Sequence, residues 1–311
     1  RRQRQMCIRD SIKIESGTLT LVDSHPAAIH KFNATNDLWS LQESGGKETV
    51  RGGIITGGNA GYNDGGGVYV CPGAGLVMRG GSIVGCKAQQ GGGVYVADKN
   101  EAKTLGRFTM EGGSINNNKA TSGSGGGVMV FESSFTLSGG SITGNTTSGA
   151  TYAHGGGVCL YGSFYLSGDP IIQDNTKADT TDNLYLGWQT INITGPLGKN
   201  AHIGVNAENV PRTFISGWSD NMAGENPADY FSSDGDALGI GLNADGNVVL
   251  GSLCTTITLN PNGGTLPEYS LVAGQPCPFP PKPAIPSPDG MRTRSSAATQ
   301  WRTSPLTVPG S

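Results

Sequence analysis

The feature that most constrains this chain is a short text repeated five times, with drift, between residues 52 and 197. Four copies begin GGGVYV at 65–70, GGGVYV at 91–96, GGGVMV at 125–130 and GGGVCL at 155–160. After a loop, each continues with an alternating run ending in a glycine pair or its variant: LVMRGGSI at 76–83, FTMEGGSI at 108–115, FTLSGGSI at 135–142 and FYLSGDPI at 164–171. A glycine-poor fifth copy reads NLYL at 183–186 and INITGPL at 191–197. The triple glycines start 26, 34 and 30 residues apart, and a period of that size belongs to a solenoid, a propeller or an array.

Within a copy the apolar residues alternate with a period of two, which places them on one face of a strand. The first strand carries Val68/Val70, Val94/Val96, Val128/Val130, Val158/Leu160 and Leu184/Leu186. The second carries Leu76/Met78, Phe108/Met110, Phe135/Leu137, Phe164/Leu166 and Ile191/Ile193. A third strand at the glycine pair supplies Ile83, Ile115, Ile142 and Ile171. No stretch carries a helical period, which disfavours a leucine-rich repeat, and the spacing is too short for the four strands of a propeller blade. Stacking equivalent strands of successive coils at about 4.8 Å gives parallel sheets with continuous inward ladders, so the expected fold is all-β: a right-handed parallel β-helix. Corners after the third strand fall at Gly58, Cys86, Asn118, Asn145 and Asp174, and the Asn and Asp among them suit a left-handed turn.

The flanks divide the chain further. IKIESGTLTLVDS, from residue 12, already alternates, and LWSLQ at 38–42 and ETVRGGIITGG at 48–58 add strands and one partial coil. His25 and His30 fall in a connecting loop and read as solvated. After residue 197 the pattern decays into a cap over 198–251, which closes on a hairpin, LGIGLNADGNVVLG, turning at Ala244-Asp245-Gly246. The β-helix therefore spans 12–251, at seven or eight coils and about 35 Å of length. A different text begins near residue 252, and 278–311 is rich in Pro, Ser, Arg and Thr, which predicts a disordered tail.

The chemistry is sparse. A net charge of −3 with only 14% charged residues gives no basic field for nucleic acid, and no apolar run is long enough to insert in a membrane. A β-helix enzyme acting on acidic sugars needs several acids and bases converging on neighbouring coils. Among the outward positions of the second strand only Arg79 and Glu111 are charged, and they read as a cross-strand ion pair. The triple-glycine text lacks the lysine and helix of a phosphate loop, and Asp64 has no counterpart in other copies as a calcium-binding repeat would require. No catalytic residue, metal ligand or cofactor is therefore assigned. The outward row of the first strand reads Tyr69, Tyr95, Met129, Cys159 and Tyr185. Its tyrosines form the one candidate ligand surface, because tyrosine offers a sugar or protein partner an apolar face with a polar tip. The alternative is that Tyr69 and Tyr95 simply pair with each other. Cys71, Cys86, Cys159, Cys254 and Cys277 form no CxxC pair and are expected as free thiols.

The alternation of GGGV with GGSI and a following Asn resembles the right-handed parallel β-helix repeats of large cell-surface proteins of gut Firmicutes. More distantly, it is similar to the repeats of chlamydial polymorphic outer-membrane proteins. TTITLNPNGGTLPE at 255–268 resembles the opening of the Listeria–Bacteroides repeat, giving a partial module over 252–277. Residues 6–11, MCIRDS, resemble a translated sequencing adapter, as in metagenome-derived fragments, so 1–11 is expected to be artefactual and the signal peptide to lie with a missing N-terminus. The resemblance implies a secreted or cell-wall-attached bacterial adhesin or stalk that binds host or cell-wall glycans or surface proteins. The rival it leaves open is a carbohydrate-active lyase or hydrolase with an incomplete active site. Unpaired sheet edges at the solenoid ends imply end-to-end self-association.

Overall fold

A computed structural model describes residues 12–35, 38–42, 45–97, 104–236, 238–243 and 245–252. The expectations for residues 1–11, for the partial module beyond Ser252 and for the tail lie outside these.

The alternating runs fold as strands that stack coil on coil in register. In the first row Ile12, Val68, Val94, Val128, Val158 and Leu184 lie over one another. The second row aligns Leu19, Leu76, Phe108, Phe135, Phe164 and Ile191. The third aligns Ile55, Ile83, Ile115, Ile142, Ile172 and Ile203. A short fourth row stacks Lys87–Ala88, Lys119–Ala120, Thr146–Thr147 and Thr176–Lys177. The product is a parallel β-solenoid of about six turns, with only 3% of residues helical. From Val68 onward these inward ladders are almost completely buried, and Phe108, Phe135 and Phe164 stack ring on ring at 4.8 and 5.2 Å. Ile172 takes the inward place expected of Ile171, because the ladder slips between Leu137 and Gly139, where the fifth coil carries one extra residue in a bulge.

Six turns are fewer than the seven or eight expected, and residues 22–53 account for the difference. The first coil breaks off after its second strand, Thr18–Leu21, and resumes at its third, Ile54–Thr56. Between them Ile29–Thr35 pairs antiparallel with both Leu38–Gln42 and Glu48–Arg51, forming a separate sheet instead of a coil. This insertion docks on the outside of the solenoid: Phe32 is fully buried and clusters with Val50 and with Val84, an outward residue of the third row. Asp23 closes its base, accepting hydrogen bonds from the backbone N–H groups of His25 and Gly53 at 2.9 and 3.0 Å.

The corner after the third strand corrects a second expectation. The left-handed residues are Gly57, Gly85, Asn117, Gly144 and Asp174, so Asn118 and Asn145 are not the turn residues. They point inward with Asn175 and form a fully buried asparagine ladder. The carbonyls of Asn145 and Asn175 each accept from the backbone N–H and the side-chain amide of the preceding coil: Asn118 gives both to Asn145 at 3.0 and 2.9 Å, and Asn145 gives both to Asn175 at 2.9 Å. The amides also donate to main-chain carbonyls, as Asn145 does to Ile115 and Thr143. Asn183 continues the row, and the Asp234 carboxylate ends it by accepting from the Asn183 amide and backbone.

The cap is as expected in kind. Leu238–Leu242 and Val248–Ser252 form the predicted antiparallel hairpin. Phe214, Trp218, Met222, Tyr230, Phe231, Ile240 and Leu250 close the end of the core.

Candidate binding surface

The outward row of the first strand is in register as the sequence implies, running Lys13, Tyr69, Tyr95, Met129, Cys159, Tyr185 and Asn206. It is not open surface, however. The first glycine of each triple has a positive φ and folds the incoming loop back over the row. A methyl on Gly91 would come within 2.9 Å of the Tyr95 Cα, and one on Gly125 within 2.8 Å of the Met129 Cα. Met129 and Cys159 are buried, and with Tyr95, Ala97 and Tyr185 they form a second apolar cluster outside the main core. Cys159 keeps the outward position expected of it but is covered there, and burial drives its pKa up.

The three candidate tyrosines divide. Tyr69 and Tyr95 stack on each other at 5.3 Å and 15°, Tyr69 half-buried and Tyr95 only 8% exposed. Tyr185, 3% exposed, ends that apolar cluster and reaches from it into a group of polar side chains at the C-terminal coils. Its ring stacks on the His154 imidazole at 4.0 Å, and its hydroxyl donates to Glu208. Burial, with that hydrogen bond, pushes its pKa well up. Burial also lowers the His154 pKa, helped by the Lys177 ammonium, while Asp182 and Glu208 pull the other way.

The carboxylates of this region hold backbone. Asp182 accepts from the Gly155 N–H at 2.8 Å, where the other coils use a main-chain carbonyl, and from the Asn206 amide at 3.0 Å. Asp182 and Asp234 both have raised pKa values, desolvation being the chief cause. The Arg79–Glu111 pair forms as expected, at 2.8 Å between half-exposed side chains. Cys71, Cys86 and Cys159 are unpaired thiols. Among the described residues no three His, Cys, Asp or Glu side chains group as metal ligands, and no helix is long and apolar enough to cross a membrane.

The chain matches no family model, no curated protein and no solved structure.

Tyr62 and Tyr152, in the loops before two of the triple glycines, are the most exposed aromatics among the described residues, and a further aromatic group lies one corner beyond the first row. Phe131 and Tyr161 are register partners in successive coils, their rings edge to face at 6.2 Å. In the next coil Trp188 stands at the same corner, 72% exposed. Arg212 steadies its loop, donating to the carbonyls of Gly187 and Gln189 at 2.6 Å each. Sequence reasoning passed over this stripe because it counted only residues inside the strands. Its signal was nonetheless present: the residue that follows VMV and VCL is aromatic, and a tryptophan follows LYLG. Chemically, an amphipathic ring on a rigid sheet corner can stack on a sugar face or anchor a protein partner.

Proposed function

We propose that this chain is a rigid structural and adhesive rod of a secreted or cell-wall-associated bacterial surface protein, which binds glycans through its lateral surface and carries no catalytic role. The observation that carries the reading is the aromatic corner of Phe131, Tyr161 and Trp188, presented on three consecutive coils while the inward ladders stay uniform. Further support comes from the likeness of the GGGV and GGSI repeats to those of bacterial surface β-helix proteins.

The test is a glycan array with the full chain, run beside an assay for unsaturated uronic-acid products. Binding without product formation, weakened in Trp188→Ala, is the expected result. Product formation, or silence on every glycan and mucin presented, would overturn the reading.

A further inference from the structure

Away from the aromatic corner, a concavity lies on the side of the solenoid where the insertion docks. It is a groove of about 460 Å³, within the size of small-molecule sites. Its head is Trp39 of the inserted sheet, packed against the corner at Gly85, where an added methyl would meet the Trp39 Cβ at 2.8 Å. Trp39 is half-buried and its ring is backed by Phe32 at 5.6 Å, so its position is set by the docked insertion. The floor comes from consecutive coils: the corner residue Asn117, and Lys119, Thr146 and Thr176 of the fourth row. Lys177 and Thr180 pair across a tight reversal that carries Asp179 in the far wall.

The lining says what would fit. Thr146 and Thr176 sit one above the other with their hydroxyls 3.4 Å apart, a long contact for both that a ligand hydroxyl could replace with a shorter one. Two left-handed non-glycine residues, Asn117 and Ala178, line the same groove, and such conformations concentrate where a surface is held in a set shape. Lys119 and Asp179 contribute one charge of each sign, so the groove favours neither an anionic nor a cationic ligand. An indole at one end and stacked hydroxyls along the floor match a ligand with an apolar face and a hydroxyl rim. We infer that this groove binds a short neutral saccharide, its first ring against Trp39 and its hydroxyls on Thr146 and Thr176. The inference rests on the glycan-binding reading above but places a site away from the aromatic corner.

Calorimetric titration with neutral trisaccharides of glucose, galactose, mannose and N-acetylglucosamine would test it, using the full chain, with and without Trp188→Ala. The expected result is binding that survives Trp188→Ala and weakens about tenfold in Trp39→Ala. Because Trp39→Ala also removes packing on Phe32, Thr146→Val with Thr176→Val is the companion variant; it keeps side-chain shape and should weaken binding similarly at an unchanged melting temperature. If binding vanishes in Trp188→Ala and is untouched by the groove variants, the groove assignment falls and the adhesive reading stands. If the chain binds glycans on the array but none of these trisaccharides, the groove assignment again falls alone. If neither the array nor calorimetry detects a sugar, both fall.

Discussion

At the residue scale the asparagine ladder carries the most consequence. A buried amide is costly unless every polar atom is matched, and here each one is: the backbone N–H and one amide proton are given to the next coil, and the other amide proton to a main-chain carbonyl of the preceding one. Asn145→Ala would strip partners from the carbonyls of Ile115 and Thr143 and from the backbone N–H of Asn118. It should cost roughly 3–5 kcal/mol in urea unfolding, against less than about 0.5 kcal/mol for the outward Thr146→Ala. His154 offers a test through pH. Its folded pKa lies below the ordinary 6.5, so the folded protein holds that proton less tightly than the unfolded chain. The stability due to the neutral ring is therefore full above 6.5 and is lost as pH falls through that value toward the lower folded one. His154→Gln should flatten this part of the acid limb, read as a smaller drop in melting temperature between about pH 7.5 and pH 5 than the parent shows. The shifts of Asp182 and Asp234 have the opposite sign, and those groups are present in both proteins. The ladder itself was half legible. An Asn follows two of the three GGSI texts, but sequence cannot say whether a corner Asn takes the left-handed turn or the inward place beside it. One residue of phase separates Asn117 from Asn118 and reverses their roles.

At the element scale the triple glycine explains itself through three separate demands, seen in the fourth coil. Gly125 has φ 69° and folds the loop over its own strand. Gly126 lies where a methyl would overlap the carbonyl oxygens of Gly156 and Thr146. Gly127 faces the Asn145 amide, at 2.9 Å from where its Cβ would stand. Gly126→Ala should thus force apart two backbones and destabilise by about 3 kcal/mol or more, measured by chemical unfolding. The strands were legible from period two, since a strand with one buried face leaves that alternation. The burial of Tyr95, Met129, Cys159 and Tyr185 was not, because what covers them is a loop of small and polar residues whose path the pattern does not encode. The inserted sheet was misjudged for a related reason: its strands alternate as coil strands do, and only the pairing direction sets them apart.

On the scale of the whole molecule, each inner coil is held by two neighbours on its first three rows, whereas the insertion touches the solenoid through one apolar patch and the Asp23 clip. Stability should be graded accordingly. Hydrogen exchange followed by mass spectrometry is expected to find the slowest amides in the first and second rows of the third to fifth coils, and opening of residues 29–51 well before them. Equal protection across both would show that the insertion and the coils open as one unit.

The asparagine row also bears on how such a molecule grows. Every Asn in it presents the same acceptor backward and the same donors forward, so a duplicated stretch of gene encoding one coil would arrive with its buried polar needs already met by its copies. Growth by tandem duplication would be limited only at the two terminators: Cys86, which gives its N–H to Asn118 but offers no amide of its own, and Asp234, whose carboxylate only accepts. Length would then be free to drift between lineages while the two ends stay recognisable.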